Sequence, residues 1–137
     1  MKKVTGLGGI FFKCKDPQMM KEWYQEYLGV FYDQYGTVFQ WGGEGSAPGT
    51  TTFSMMPEST TYYDPSKSPF MINFRVADLE ALLADLKSKG VEIAGEMQSY
   101  EYGKFGWVID PEGNKIELWE PVDSGFEAPG QHWIKME

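Results

Sequence analysis

Apolar positions in this chain recur with two different periods, and the switches between them mark the elements. Met20, Trp23, Tyr24 and Tyr27 fall at helical spacing. Asp16-Pro17 stands just before them, a capping side chain followed by proline at the first helical position, and Gly29 supplies a stop. The same arrangement returns later. Asp78 precedes Leu79, Leu82, Leu83 and Leu86 on one helical face, and Gly90 ends that stretch. Each helix follows a short apolar segment of strand character, residues 9–14 and 71–76. Three further strand segments follow each helix. In the first half they are residues 31–35, 38–41 and 51–55. In the second they are residues 92–93 running into 96–100, then 106–109 and 115–119. Asp110-Pro111-Glu112-Gly113-Asn114 is a dense turn signal that joins the last two into a hairpin. Residues 42–49 read as a hairpin loop. Residues 57–69, rich in Pro and Ser, read as a connection between halves, with Tyr62 and Tyr63 placed to form a lid or an interface. The tail beyond Pro121 has no clear period.

Laying Asp16 on Asp78 exposes an internal repeat. Ile10-Phe11-Phe12-Lys13 then falls on Ile72-Asn73-Phe74-Arg75. Matching the closing prolines, Pro57 and Pro121, lays residues 52–57 on 116–121 and so puts Phe53 on Glu117. A repeat of this length sets the architecture more firmly than any short motif. The expectation is an α+β fold of two tandem βαβββ modules in one domain spanning 1–137. Module one covers about 6–57, a linker 58–69, module two about 70–121, and a tail 122–137.

Side chains alternate across a strand, so each strand divides into two sets. Ile10, Phe12 and Cys14 share one face; Gly9, Phe11 and Lys13 share the other. The second-half equivalents are Ile72, Phe74 and Val76 against Met71, Asn73 and Arg75. In the last strand Ile116 and Leu118 oppose Glu117 and Trp119. The wholly apolar sets belong under the helices. The mixed sets face either a cleft or, on a half-covered antiparallel sheet, water. The cleft reading makes Met71, Asn73, Arg75, Glu117 and Trp119 pocket candidates, together with Gly9, Phe11, Lys13, Thr51, Phe53 and Met55.

Composition narrows the function. The 137 residues carry a formal charge of −8, which repels phosphate backbones and anionic lipid; nucleic-acid and membrane partners are not expected. Aromatic residues make up 16%, enough to line a pocket as well as fill a core. Cys14 is the single cysteine, which rules out an internal disulfide and points to a reducing, cytoplasmic setting. It falls on the helix side of its strand and reads as a small core residue. Gly6-Leu7-Gly8-Gly9 opens a strand and not a helix, the wrong context for a phosphate loop.

The repeat, the paired strand–Asp–helix–Gly openings and the stretch Asp110-Pro111-Glu112-Gly113-Asn114-Lys115-Ile116-Glu117-Leu118 resemble the vicinal oxygen chelate superfamily, the glyoxalase, bleomycin-resistance and dioxygenase group. The resemblance spans roughly residues 6–121. It implies two βαβββ modules whose sheets face each other across a cleft, a small-molecule ligand, and a possible homodimer. The group includes lyases, isomerases, dioxygenases and antibiotic-sequestering proteins, so fold alone selects no reaction. For members that use a metal, the resemblance implies ligands on the first and last strand of each module. Here those positions hold Gly9, Phe53, Met71 and Glu117, of which only Glu117 suits a hard ion. His132, the only histidine, lies in the tail as a solvated side chain or a late-arriving ligand or base.

The leading expectation is a protein that binds a small organic molecule in the cleft without a complete metal site and with no cofactor. Asn73, Arg75, Glu117, Trp119, Phe53 and Phe11 are the expected ligand contacts. Glu117 is the one candidate for catalysis or for a metal, and it is also expected to pair with Arg75 or Lys13. Two alternatives stand beside this reading. One is a lyase, isomerase or dioxygenase using a divalent metal at an unusual site. The other is a non-catalytic interaction protein.

Overall fold

The computed structural model describes residues 3–33, 36–42 and 48–122, with the backbone of 134–135. The elements run β1 (Val4–Cys14), α1 (Pro17–Leu28), β2 (Thr37–Trp41), β3 (Gly49–Pro57), β4 (Phe70–Val76), α2 (Leu79–Ser88), β5 (Gln98–Tyr100), β6 (Gly103–Ile109), β7 (Lys115–Pro121) and β8 (Ile134–Lys135). Strand, helix, strands follow one another twice, as the pattern of the chain requires. Both helix starts are capped as read from sequence. The Asp16 carboxylate accepts from the Met19 amide at 3.1 Å, and Asp78 accepts from Ala81 at 3.1 Å. Gly29 closes α1 in the left-handed region at φ 68°, where a side chain would be strained.

The described strands form one eight-stranded sheet in the order β5-β6-β7-β4-β1-β3-β2-β8. β1 and β4 pair antiparallel at its centre and join the two halves edge to edge. The two sheets implied by the resemblance are therefore continuous. Within each half the first and last strands run parallel, β1 with β3 and β4 with β7, and the last strand folds back on its predecessor.

Strand pairing corrects the repeat by one residue. Ile10 pairs with Phe53 and Ile72 with Ile116; Phe11 pairs with Ser54 and Asn73 with Glu117. The residue equivalent to Glu117 is thus Ser54, not Phe53. The closing prolines misled because they are not equivalent: Pro57 pairs with Cys14, whereas Pro121 pairs with Gly103. A one-residue slip moves a side chain to the opposite face. Phe53 accordingly packs under α1, its ring 5.3 Å from Tyr24 and 5.4 Å from Phe12.

The strand expected over 31–35 is not formed in its described part. Asp33 makes only an isolated bridge with Gly36, and the two exchange backbone hydrogen bonds across a tight turn. Residues 34–35 lie outside the described residues. Ile93 likewise makes a single bridge to Val108, and strand structure resumes at β5. A buried apolar cluster lies under α2, where Leu79 and Leu82 meet Val76, Val108 and Leu118.

Candidate functional site

The face of the sheet away from the helices carries the polar residues. Asn73 on β4, Glu117 on β7 and Trp107 on β6 stand side by side on three adjacent strands, because Asn73 pairs with Glu117 and Glu117 with Trp107. Glu117 is 3% exposed. Its carboxylate accepts from Asn73 Nδ2 at 2.7 Å, from Trp107 Nε1 at 2.8 Å and from the Tyr62 hydroxyl at 2.5 Å. A buried charge needs such donors in place of water. Here all three are neutral, and neither Arg75 nor Lys13 is among them.

Arg75 and Lys13 are occupied differently. The Arg75 guanidinium lies 5.1 Å from the Trp119 ring and 5.5 Å from Trp41, and donates to Thr50 at 3.3 Å. Lys13 Nζ sits 5.3 Å from the Tyr63 ring. The expected Glu117 ion pair is replaced because Tyr62 reaches the carboxylate from the connection between halves, a segment without periodicity. The adjacent tyrosines in a Pro- and Ser-rich stretch were the signal that this connection folds over the sheet. Lys115 anchors it further, donating to the Tyr62 carbonyl at 2.8 Å with its ammonium 5.3 Å from both the Tyr62 and Trp107 rings.

Burial, reinforced by the Glu117 charge, pushes the Tyr62 phenol far above its ordinary range and Tyr63 up to about 12. Burial also lowers Lys115, against the opposing pull of Glu117. Among the described residues, Asn73 Oδ1 and the Tyr63 hydroxyl are buried without a hydrogen-bond partner. A Cβ on Gly8 would overlap Asn73 Oδ1, so the glycine leaves the space that the Asn73 amide fills.

Beside this network opens a cleft of about 630 Å³. Phe11, Tyr62, Tyr100, Tyr102, Phe105 and Trp107 supply its aromatic wall, and Ser54, Met55 and Met56 complete it. Tyr100 and Tyr102 stack 5.2 Å apart at the rim, and Phe105 stacks on Trp119 at 5.8 Å. Of the residues expected from sequence, Phe11 lines the cleft and Asn73 and Glu117 lie beneath it. Arg75 and Trp119 flank it, and Phe53 is on the other face of the sheet. His132 lies outside the described residues.

The metal positions implied by the resemblance do not suit a divalent ion. Gly9 has no donor, Met71 offers a buried thioether, Phe53 faces α1, and Ser54, in the place equivalent to Glu117, offers one neutral hydroxyl. Both Glu117 oxygens already accept hydrogen bonds. Among the described residues no three His, Cys, Asp or Glu side chains converge.

No curated protein matches the chain. Solved structures share its fold. Methylmalonyl-CoA epimerase from Mycobacterium tuberculosis is 24% identical, with a TM-score of 0.56 over 87% of this chain and 89% of its own. A variant of Streptomyces coelicolor methylmalonyl-CoA epimerase in complex with 2-nitronate-propionyl-CoA is 18% identical, with a TM-score of 0.61 over 87% and 99%. A glyoxalase/bleomycin resistance protein/dioxygenase superfamily member from Vibrio splendidus 12B01 is 17% identical, with a TM-score of 0.53 over 83% and 98%. At these identities the likeness is one of fold. The sequence profile of the Glyoxalase/Bleomycin resistance protein/Dioxygenase superfamily matches residues 6–118, and the chain belongs to that superfamily.

Proposed function

We propose that the protein binds a flat, largely apolar organic molecule in the aromatic cleft, with Glu117 serving to frame the site. One observation carries this reading. The Tyr62 hydroxyl and the Trp107 indole N–H are both spent on Glu117 beneath the cleft, so these residues offer a ligand their ring faces and not their polar atoms. A carboxylate held by three donors is a rigid anchor for the wall. Holding rings in place before a ligand arrives removes an ordering cost from binding. The cleft volume of about 630 Å³ falls within the range of small-molecule sites. The only polar side chain among Ser54, Met55 and Met56 is the Ser54 hydroxyl, which suits a ligand with one hydrogen-bonding group at that end.

The test is a titration of the intact protein with planar aromatic compounds, read by tryptophan fluorescence and by calorimetry. Binding of at least one such compound is expected, and Trp107→Leu should weaken it at least tenfold. Ser54→Ala should weaken only ligands that carry a polar group. Preference for small, highly charged ligands, with Trp107→Leu silent, would overturn the reading.

A further inference from the structure

We propose that the occupant of the aromatic cleft is an organic cation whose positive charge is spread over a planar ring. The proposal rests on the reading of that cleft as a ligand site and adds the ligand's charge to it. None of the described residues that line the cleft is charged. Recognition there falls to ring faces. An aromatic face carries the negative lobe of the ring quadrupole and attracts a cation, most strongly once water is excluded.

Two of these rings are made richer in electrons by what lies beneath them. Tyr62 and Trp107 donate to the same oxygen of the Glu117 carboxylate, at 2.5 and 2.8 Å. A donor bound to an anion is polarised: its hydrogen is drawn toward Glu117 and more electron density stays on the ring. Glu117 is 3% exposed, so salt screens its charge little and its field reaches the cleft through the rings. At the rim, Tyr100 and Tyr102 stack within 9° of parallel and are each 49% exposed, which leaves aromatic surface open beside the entrance. The formal charge of −8 on the whole chain draws cations toward it.

The protein's own cations show the same preference for ring faces. Lys115 sets its ammonium 5.3 Å from both the Tyr62 and Trp107 rings, Lys13 lies 5.3 Å from Tyr63, and Arg75 lies over Trp41 and Trp119. None of the three is among the described residues lining the cleft, so a carboxylate ligand would meet no cation on the wall. Glu117 favours a cation on these rings and Lys115 opposes it. Their fields largely offset one another at the cleft, and the ring quadrupoles, strengthened by polarisation, decide the sign.

Equilibrium dialysis of the intact protein against three planar probes of similar size tests the proposal. N-methylquinolinium is the cation, methylnaphthalene its neutral isostere and naphthoate the anion. The cation should bind about tenfold more tightly than methylnaphthalene, although water holds it better, and naphthoate should bind most weakly. Glu117→Gln should lower the ratio of cation to neutral affinity by roughly threefold or more, and Lys115→Met should raise it. A ratio cancels any general loss of cleft shape, and the wild-type comparison stands by itself where a variant fails to fold. Methylnaphthalene or naphthoate binding as tightly as the cation, or ratios that move the other way, would overturn the charge assignment and leave the cleft standing as a ligand site. Binding of none of the three would overturn the cleft reading and this proposal with it.

Discussion

The two halves of this protein share a chain path but not a chemistry. In the second half, Asn73, Glu117 and Trp107 stand in a row on three strands and hold a buried charge. The corresponding first-half positions on β1 and β3 hold Phe11 and Ser54, neither of which ionises. Their helices differ in the same direction. α2 buries Leu79 and Leu82 in a continuous core, whereas no residue of α1 is fully buried and its face is built of aromatic rings. One half is a rigid frame with a charge inside it. The other supplies a softer wall, Phe11, Met55 and Met56, to the same cleft. The lesson is that a repeat can fix geometry while leaving only one copy to carry the polar work.

The largest expected effect breaks that asymmetry at its centre. Glu117→Ala leaves the buried Asn73 amide and the part-buried Trp107 and Tyr62 donors without their acceptor and should cost roughly 3–5 kcal/mol, read by urea unfolding. Ser54→Ala, at the equivalent place, should cost under about 0.5 kcal/mol. Similar losses at both positions would mean that the halves contribute alike. Next come the helices. Leu82→Ala should cost about 2–4 kcal/mol, because it empties a filled core, and Met20→Ala about 1 kcal/mol, because Met20 is only half-buried. Gly8→Ala should cost on the order of 1–3 kcal/mol, since its new carbon displaces the Asn73 amide from the Glu117 carboxylate.

A smaller effect concerns pH. Tyr63 is pushed up to about 12 by burial and by Glu117. Its folded value exceeds its unfolded value, so the unfolded chain binds fewer protons above pH 10 and stability falls with rising pH. That contribution is intact below about pH 10 and is lost as pH rises through about 12. Replacing Tyr63 with Phe should flatten this alkaline loss, measured as melting temperature against pH. An unchanged slope would show that burial and Glu117 together do not raise Tyr63 in the folded protein.

Much of the frame was legible in the chain. Asp16 and Asp78 cap helices because a short carboxylate at that place satisfies free amides, and that chemistry is local. The sorting of Asn73 and Glu117 onto the polar face needed only strand alternation. What was not legible depended on distant register. Phe53 was assigned to the cleft because two prolines looked equivalent, and a slip of one residue carried it under α1. Tyr62 was legible as part of a lid or an interface, but its bond to Glu117 was hidden for a different reason. Its role rests on a connection with no period, and its hydroxyl meets Glu117 across 55 positions of chain. The Arg75–Glu117 pair failed because charge complementarity names possible partners and not the ones within reach. Trp41 and Trp119 give the guanidinium a place that sequence spacing does not reveal.

The most direct test of the framed cleft is the nuclear magnetic resonance signal of the Trp107 indole proton. Held by Glu117 at 2.8 Å, it should resonate well downfield of the ordinary indole range and exchange slowly with solvent. Glu117→Gln should move it upfield. Addition of a planar aromatic ligand should shift it while leaving the Trp23 indole unchanged, since Trp23 lies on α1 across the sheet. A Trp107 signal at the ordinary position, or one indifferent to ligand while Trp23 responds, would contradict the account.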